Sequence, residues 1–274
     1  MPAHWVAALP MYNVTPALGA LWRAFAHDVA VFAFGGDAAN DVSLLDEPFG
    51  DLRGLWRRND LLLSQTCGYP LVHELASHVD MIATPIFDAN GCDGARYRSV
   101  LVVRSNGDAR VIDTLTDCRG LRAAYNGDDS NSGMNALRHA VAPLARGGRF
   151  FGSVVRTGSH LASLRRVAAG DADVAAIDCV TLAYVSDELP DLAKRVRGIG
   201  FTASTPGLPL IASRSVGAAR LSRVRDALHA ALSADRERAR RLRLRGFARL
   251  TANDYAAIDA LERDAMAAGY ATLA

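Results

Sequence analysis

The sequence predicts an α/β fold with mostly parallel sheets, divided between two lobes. Short apolar runs of strand length alternate with amphipathic helical runs of about 10–15 residues, the pattern that builds parallel sheets through crossover helices. The 274 residues exceed the roughly 150 of an average domain. One short pattern occurs twice, an acidic residue entering a buried strand: His78-Val-Asp-Met-Ile-Ala-Thr and Ala172-Asp-Val-Ala-Ala-Ile-Asp.

The first strand is 5–9, stopped by Pro10. Thr15-Pro16 then starts a helix, with Thr as N-cap and Pro at the first helical position. Leu18, Leu21, Trp22 and Phe25 follow at helical spacing and carry it to about residue 27. A second helix is expected over 48–58, with Leu52, Leu55 and Trp56 on one face. Strand 61–64 runs into Gln65-Thr-Cys-Gly-Tyr-Pro, followed by a helix over 71–77 and a strand over 79–84. A turn-rich segment, 88–94, precedes a strong strand at 97–104, and the pattern restarts: strand 121–125, helix 132–145, strand 150–155, helix 161–169, strand 174–177. Two strands near 199–202 and 208–213 follow, and 218–268 reads as wholly helical. Ligands of parallel sheets bind beyond the carboxyl ends of the strands, which selects 10–13, 65–69 and 84–87.

Composition excludes several classes. With 31 Lys+Arg against 29 Asp+Glu, the net charge of +2 gives no general attraction to nucleic acid or membrane. Half of the residues are apolar, which argues against disorder. The longest apolar stretches, 29–34 and 208–212, fall short of the ~20 residues of a membrane span. Residues 1–10 show no basic region or long apolar core of a leader, so the expectation is a cytoplasmic chain if Met1 is the native start, or a periplasmic one trimmed of its leader. The four cysteines include no Cys-x-x-Cys, which removes zinc and dithiol motifs and leaves a single disulfide open. The run of arginines at 236, 238, 240, 241, 243 and 245 reads as a solvated helix face.

The most informative segment is 124–137, a strand, a small polar loop and an amphipathic helix. Ser130, Asn131 and Ser132 fall where the helix begins, where unpaired N–H groups and the positive dipole end suit an oxyanion. Ordinary N-capping explains the same residues, and Asp128 and Asp129 would repel an anion unless turned away. His160, in Thr157-Gly-Ser-His, stands at the first turn of the next helix as a donor, a base or a surface histidine. Asp178 ends a buried strand, either accepting a hydrogen from a ligand or capping a helix. Metalloprotease spacing fails at His73-Glu74 with His78, and there is no nucleophile elbow or phosphate-binding Gly-rich loop. Asp178 and Cys179 are neighbours, unsuited to a relay with His160.

The ordered set Gln65-Thr-Cys-Gly-Tyr-Pro-Leu, Tyr97-Arg-Ser-Val-Leu-Val-Val-Arg, Leu121-Arg-Ala-Ala-Tyr-Asn, Asp129-Ser-Asn-Ser-Gly-Met, Thr157-Gly-Ser-His and Gly170-Asp-Ala-Asp-Val-Ala-Ala-Ile-Asp resembles the phosphate/phosphite/phosphonate class of ABC-transporter substrate-binding proteins. The resemblance, over about 5–215, implies the type II periplasmic-binding-protein fold: two α/β lobes joined by a two-crossover hinge, with the ligand clamped between them. Lobe 1 would be 1–92 with 204–274, and lobe 2 would be 93–203. It implies that Ser130, Asn131, Ser132, His160 and Asp178 hold a small oxyanion, with Tyr12, Gln65, Tyr69 and Tyr97 completing the site. Asn131 stands where the family usually has a hydroxyl. It further implies no catalysis, no cofactor or metal, no nucleic acid, no membrane insertion, a monomer, and an ABC permease as partner. The rival expectations are an enzyme on the same fold, acting on a phosphate ester or carboxylate, and a cytosolic ligand sensor.

Overall fold

Every residue of the strand Trp5–Ala8 (β1) is buried, as is every residue of Leu61–Gln65 (β3), because uninterrupted apolar runs must sit inside a sheet covered on both faces. A computed structural model describes residues 4–36, 41–45, 51–105 and 111–274. The remaining strands are Val42–Leu44 (β2), Val79–Phe87 (β4), Arg96–Tyr97 (β5), Ser99–Arg104 (β6), Arg122–Tyr125 (β7), Ser153–Arg156 (β8), Val174–Asp178 (β9), Val196–Phe201 (β10), Thr205–Pro206 (β11), Leu210–Ser213 (β12) and Leu244–Ala248 (β13).

The chain divides into two compact units, 1–88 with 206–254 and 89–205 with 255–274. In the first unit the sheet order is β13-β4-β12-β3-β1-β2. β1 runs parallel to β2 and β3, whereas β12 and β13 pair antiparallel with their neighbours. In the second unit the order is β10-β6-β9-β7-β8, with β7 parallel to β8 and β9, and β6 antiparallel to both β9 and β10. The sheets are therefore mixed rather than mostly parallel. The parallel pairs are β1 with β2 and β3, and β7 with β8 and β9, each reached through a helical connection or a crossover.

The helix Pro16–Phe34 (α1) starts as its sequence dictates: Thr15 Oγ1 accepts from the Leu18 amide at 3.3 Å and Pro16 opens the first turn. It outruns the expected end near residue 27 because Val29, Ala30 and Ala33 continue its buried stripe, and it stops at Gly35, whose φ of 87° suits glycine. Among the described residues α1 is the one helix with the length and apolarity to cross a membrane, at a mean hydropathy of 1.3, which corrects the expectation that no segment approaches that length. Here its apolar face packs within the first unit. Trp22 meets Phe25 and Phe87 edge-on, and Phe25 stacks on Phe247.

The short helix Leu52–Trp56 (α2) is capped by Asp51, and the first residues of the helix expected over 48–58 lie outside the described ones. Helices of the second unit include Ala136–Val141 (α3), His160–Ala169 (α4) and Cys179–Glu188 (α5). Ala218–Ala234 (α6) and Arg236–Arg241 (α7) then belong to the first unit, and most of Ala252–Ala267 (α8) to the second.

Three features depart from the sequence reading after residue 218. The arginine run hides β13, whose Leu244 is buried while Arg245 points outward. Arg238 of that run is also buried, donating to Asp28 at 2.6 Å and lying over the Phe25 ring, so the solvated-face expectation fails at this position. The last twenty residues, expected with the first lobe, belong to the second unit, where Ala265 and Tyr270 join the core of Leu137, Val141, Phe150 and Val174.

Candidate functional site

In the second unit the helix start after β7 is built from small polar residues that fold inward. Ser130 is the N-cap, and its Oγ accepts from the Gly133 amide at 3.0 Å. The first turn, Asn131–Asn135, is a π-turn in which the Asn135 amide reaches the Ser130 carbonyl at 3.0 Å. Such turns are rare and concentrate at functional sites. Ser130, Asn131 and Ser132 are all buried, which concentrates three polar side chains in a low-dielectric place.

Each predicted residue then has a definite surrounding. Ser132 Oγ lies 2.7 Å from His160 Nε2, and its carbonyl accepts from Ser99 Oγ at 2.9 Å. Ser159 caps α4 through the Ala162 amide, and this cap sets His160 as the first helical residue. Gly133 is required by this packing: a Cβ there would overlap Asn126 Oδ1 and come within 3.2 Å of His160 Cε1. Asn131 turns its amide into the unit, donating to Thr205 Oγ1 at 2.9 Å and to Tyr97 Oη at 3.3 Å, while its Oδ1 accepts from Asn135 at 3.1 Å. Its side chain therefore positions the buried Tyr97. Asp178 Oδ1 accepts from the Val180 and Thr181 amides at 2.7 and 3.1 Å, so Asp178 is the N-cap of α5 as well as a buried carboxylate at the end of β9.

Asp128 of the acidic loop is neutralised locally. Asp128 accepts from Tyr125 Oη at 2.7 Å and from Arg156 at 3.0 Å. Burial and the Asp128 hydrogen bond push the Tyr125 phenol up to about 12, so it remains a donor. Thr157 and Ser163, which flank His160, hydrogen-bond each other at 2.7 Å.

His160 is partly exposed, but its ring is closely surrounded. Desolvation pushes its pKa down to about 4, against a smaller upward pull from the Ala176 carbonyl, and Nδ1 has no partner with ordinary hydrogen-bond geometry among the described residues. The imidazole is thus neutral at pH 7. Stability is unaffected by this group above the unfolded value near ~6.5 and falls as pH drops from there towards the folded value, because the unfolded chain takes up the proton first. Between pH 7 and pH 4.5, His160→Asn should lose about 1–2 kcal/mol less stability than wild type in urea titrations. Identical acid limbs would refute the depressed pKa.

Tyr12, Gln65 and Tyr69 lie in the first unit. Tyr12 is buried edge-on against Phe87, at 5.2 Å between ring centroids. Gln65 donates to the Leu208 carbonyl at 3.1 Å, and Tyr69 lies 4.2 Å from the His73 ring. The first unit also holds a cavity of about 370 Å³ beyond the ends of β1 and β2, lined among others by Leu9, Asn13, Thr15, Gly19, Arg23 and Leu45. The strand-end rule applied to the sequence selects 10–13, and Asn13 of that segment lines this hollow; the contributions of Gly19, Arg23 and Leu45 are not foreseen by it.

Residues 57–255 match a family model described as ABC transporter, phosphonate, periplasmic substrate-binding protein. Among solved structures, the binding component of the phosphonate ABC transporter of Pseudomonas aeruginosa superposes with a TM-score of 0.75 at 17% identity, covering 97% of this chain and 88% of that one. PhnD1 of Prochlorococcus marinus, in complex with methylphosphonate, gives 0.73 at 16% identity, covering 95% and 97%. A Xanthomonas citri protein bound to ATP gives 0.66 at 17% identity, covering 98% of each. No curated protein sequence matches the chain. At these identities the superpositions establish a shared fold, the bilobal α/β fold of periplasmic binding proteins.

Proposed function

The chain belongs to the family of periplasmic substrate-binding components of phosphonate ABC transporters, proteins that bind a solute without turning it over, and from that premise we propose that its second unit holds a small phosphonate or related oxyanion at the Ser130–Ser132 turn. The observation that carries the reading is the contact of Ser132 with His160 at the opening of two helices. Buried hydroxyls, first-turn amides and a neutral imidazole form a cradle of neutral donors, which suits an anion that must be released again.

The geometry constrains the proton arrangement. For Ser132 to donate its hydroxyl hydrogen to an anion, His160 must donate its Nε2 hydrogen to Ser132 Oγ, which requires the Nε2–H tautomer. Asp178 supplies a buried negative charge that favours a protonated ligand oxygen over a bare one. Tyr97 is held by Asn131 for a contact through its ring or hydroxyl. Hinge closure of the two lobes on the ligand, with Tyr12, Gln65 and Tyr69 arriving from the first and a permease as the recipient, is the part of the proposal that rests on the family.

Calorimetry with methylphosphonate, phosphite and inorganic phosphate tests the reading. Binding of at least one with a dissociation constant of micromolar or below is expected. The absence of heat with all three, confirmed by an unchanged melting temperature, would overturn it.

A further inference from the structure

We propose that Cys92 and Cys179 are a covalent modification site, joining as a disulfide when the protein is in an oxidising compartment. Their sulfurs lie 3.5 Å apart, in contact although the residues are 87 positions apart in sequence. Both belong to the second unit, and both are held by their backbones. The Cys92 amide donates to Ala89 at 2.9 Å in a turn closed by the reciprocal Asp93–Arg96 bonds, and the Cys179 amide donates to Arg98 at 3.2 Å.

The turn is pressed onto Cys179. Gly91, at φ 108°, leaves no space for a side chain: a Cβ would lie 2.9 Å from Phe201 and 3.0 Å from Cys179 Cβ. The turn thus brings the two thiols into contact at 3.5 Å, and a side-chain rotation that shortens this to the ~2.05 Å of the bond would join them. Periplasmic proteins such as this family work where disulfides persist.

The partly exposed Cys92 is the entry point and Cys179, 2% exposed, the resolving partner. The Cys92 thiolate attacks a low-molecular-weight disulfide such as oxidised glutathione and expels one thiol. Cys179 then attacks the mixed disulfide at Cys92 and expels the second. Each cysteine gives up one proton, the two sulfurs together lose two electrons, and the reagent leaves as two thiols. The hydrogen bond to Cys92, burial and the neighbouring Asp178 all push the Cys179 thiol pKa up, so its attack is slow once the unit is folded and the bond is expected to form during folding. The resulting bond would tie the turn ahead of Tyr97 to the residue after Asp178, fixing two candidate ligand contacts relative to each other.

The test refolds the full chain from denaturant in a glutathione redox buffer and again with excess dithiothreitol. In the redox buffer, two of the four thiols should resist labelling under denaturing conditions. Non-reducing peptide mapping should find the Cys92 and Cys179 peptides joined, and the melting temperature should exceed that of the reduced protein by roughly 5–10 °C. Cys92→Ser should abolish that difference. Four labelled thiols after oxidative refolding, or a linkage through Cys67 or Cys118, would overturn the proposal.

Discussion

Arg138→Ala should destabilise the protein by about 3–5 kcal/mol, the largest single effect expected here. The Arg138 side chain is 6% exposed and donates to Asn135 Oδ1 at 2.8 Å, Glu262 Oε1 at 2.9 Å and the Ala271 carbonyl at 2.8 Å. Removing it takes a charged donor away from the largely buried Glu262 carboxylate and from two carbonyl-type acceptors. The loss passes directly into the candidate site. Asn135 donates to the Ile258 carbonyl at 3.0 Å and to Asn131, and Asn131 in turn holds Tyr97 and Thr205. Thermal unfolding monitored by circular dichroism should show a drop of roughly 6–15 °C. Glu262→Gln, which keeps an acceptor, should cost distinctly less. Equal losses in the two variants would mean that the charge pair alone, rather than the full set of Arg138 hydrogen bonds, holds α8 to the π-turn.

The second large effect concerns affinity. Ser132→Ala removes the hydroxyl between His160 and the proposed anion, and each charge-assisted hydrogen bond is worth about 1.5–3 kcal/mol, so methylphosphonate binding should weaken by about 10- to 100-fold. Ser130→Ala should also weaken binding, but at a cost in stability of about 1 kcal/mol because Ser130 caps the turn. Calorimetry paired with a melting curve separates the two cases. A Ser132→Ala protein with normal melting and an affinity within threefold of wild type would remove Ser132 from the site.

Much of the architecture was legible because burial leaves a direct mark on sequence. β1, β3 and β9 are runs of fully buried residues, and Thr15-Pro16 signals a helix start through a local hydrogen bond. What could not be read depends on partners far away in the chain. β13 is a strand because it pairs with β4, far earlier in the chain, and Arg238 of the preceding run is buried because it finds Asp28, 210 residues distant. The amide of Asn131 reads locally as an anion donor, yet its partners Tyr97 and Thr205 lie 34 and 74 residues away and turn it inward. Asp178 admitted two readings, ligand acceptor and helix cap, and the geometry establishes the second without removing the first.

The distribution of each unit over separated stretches of chain has a consequence for biosynthesis. The first unit needs residues 206–254 to complete its sheet, and the second needs 255–274, whose Ala274 carbonyl accepts from Phe150 and Phe151 at 2.8 and 2.9 Å. A nascent chain lacking its last few dozen residues contains neither unit whole. Contacts of this sequence separation form late and slowly, so the growing polypeptide stays open through nearly all of its synthesis. That delay would suit the members of a periplasmic family that cross a membrane channel before they fold.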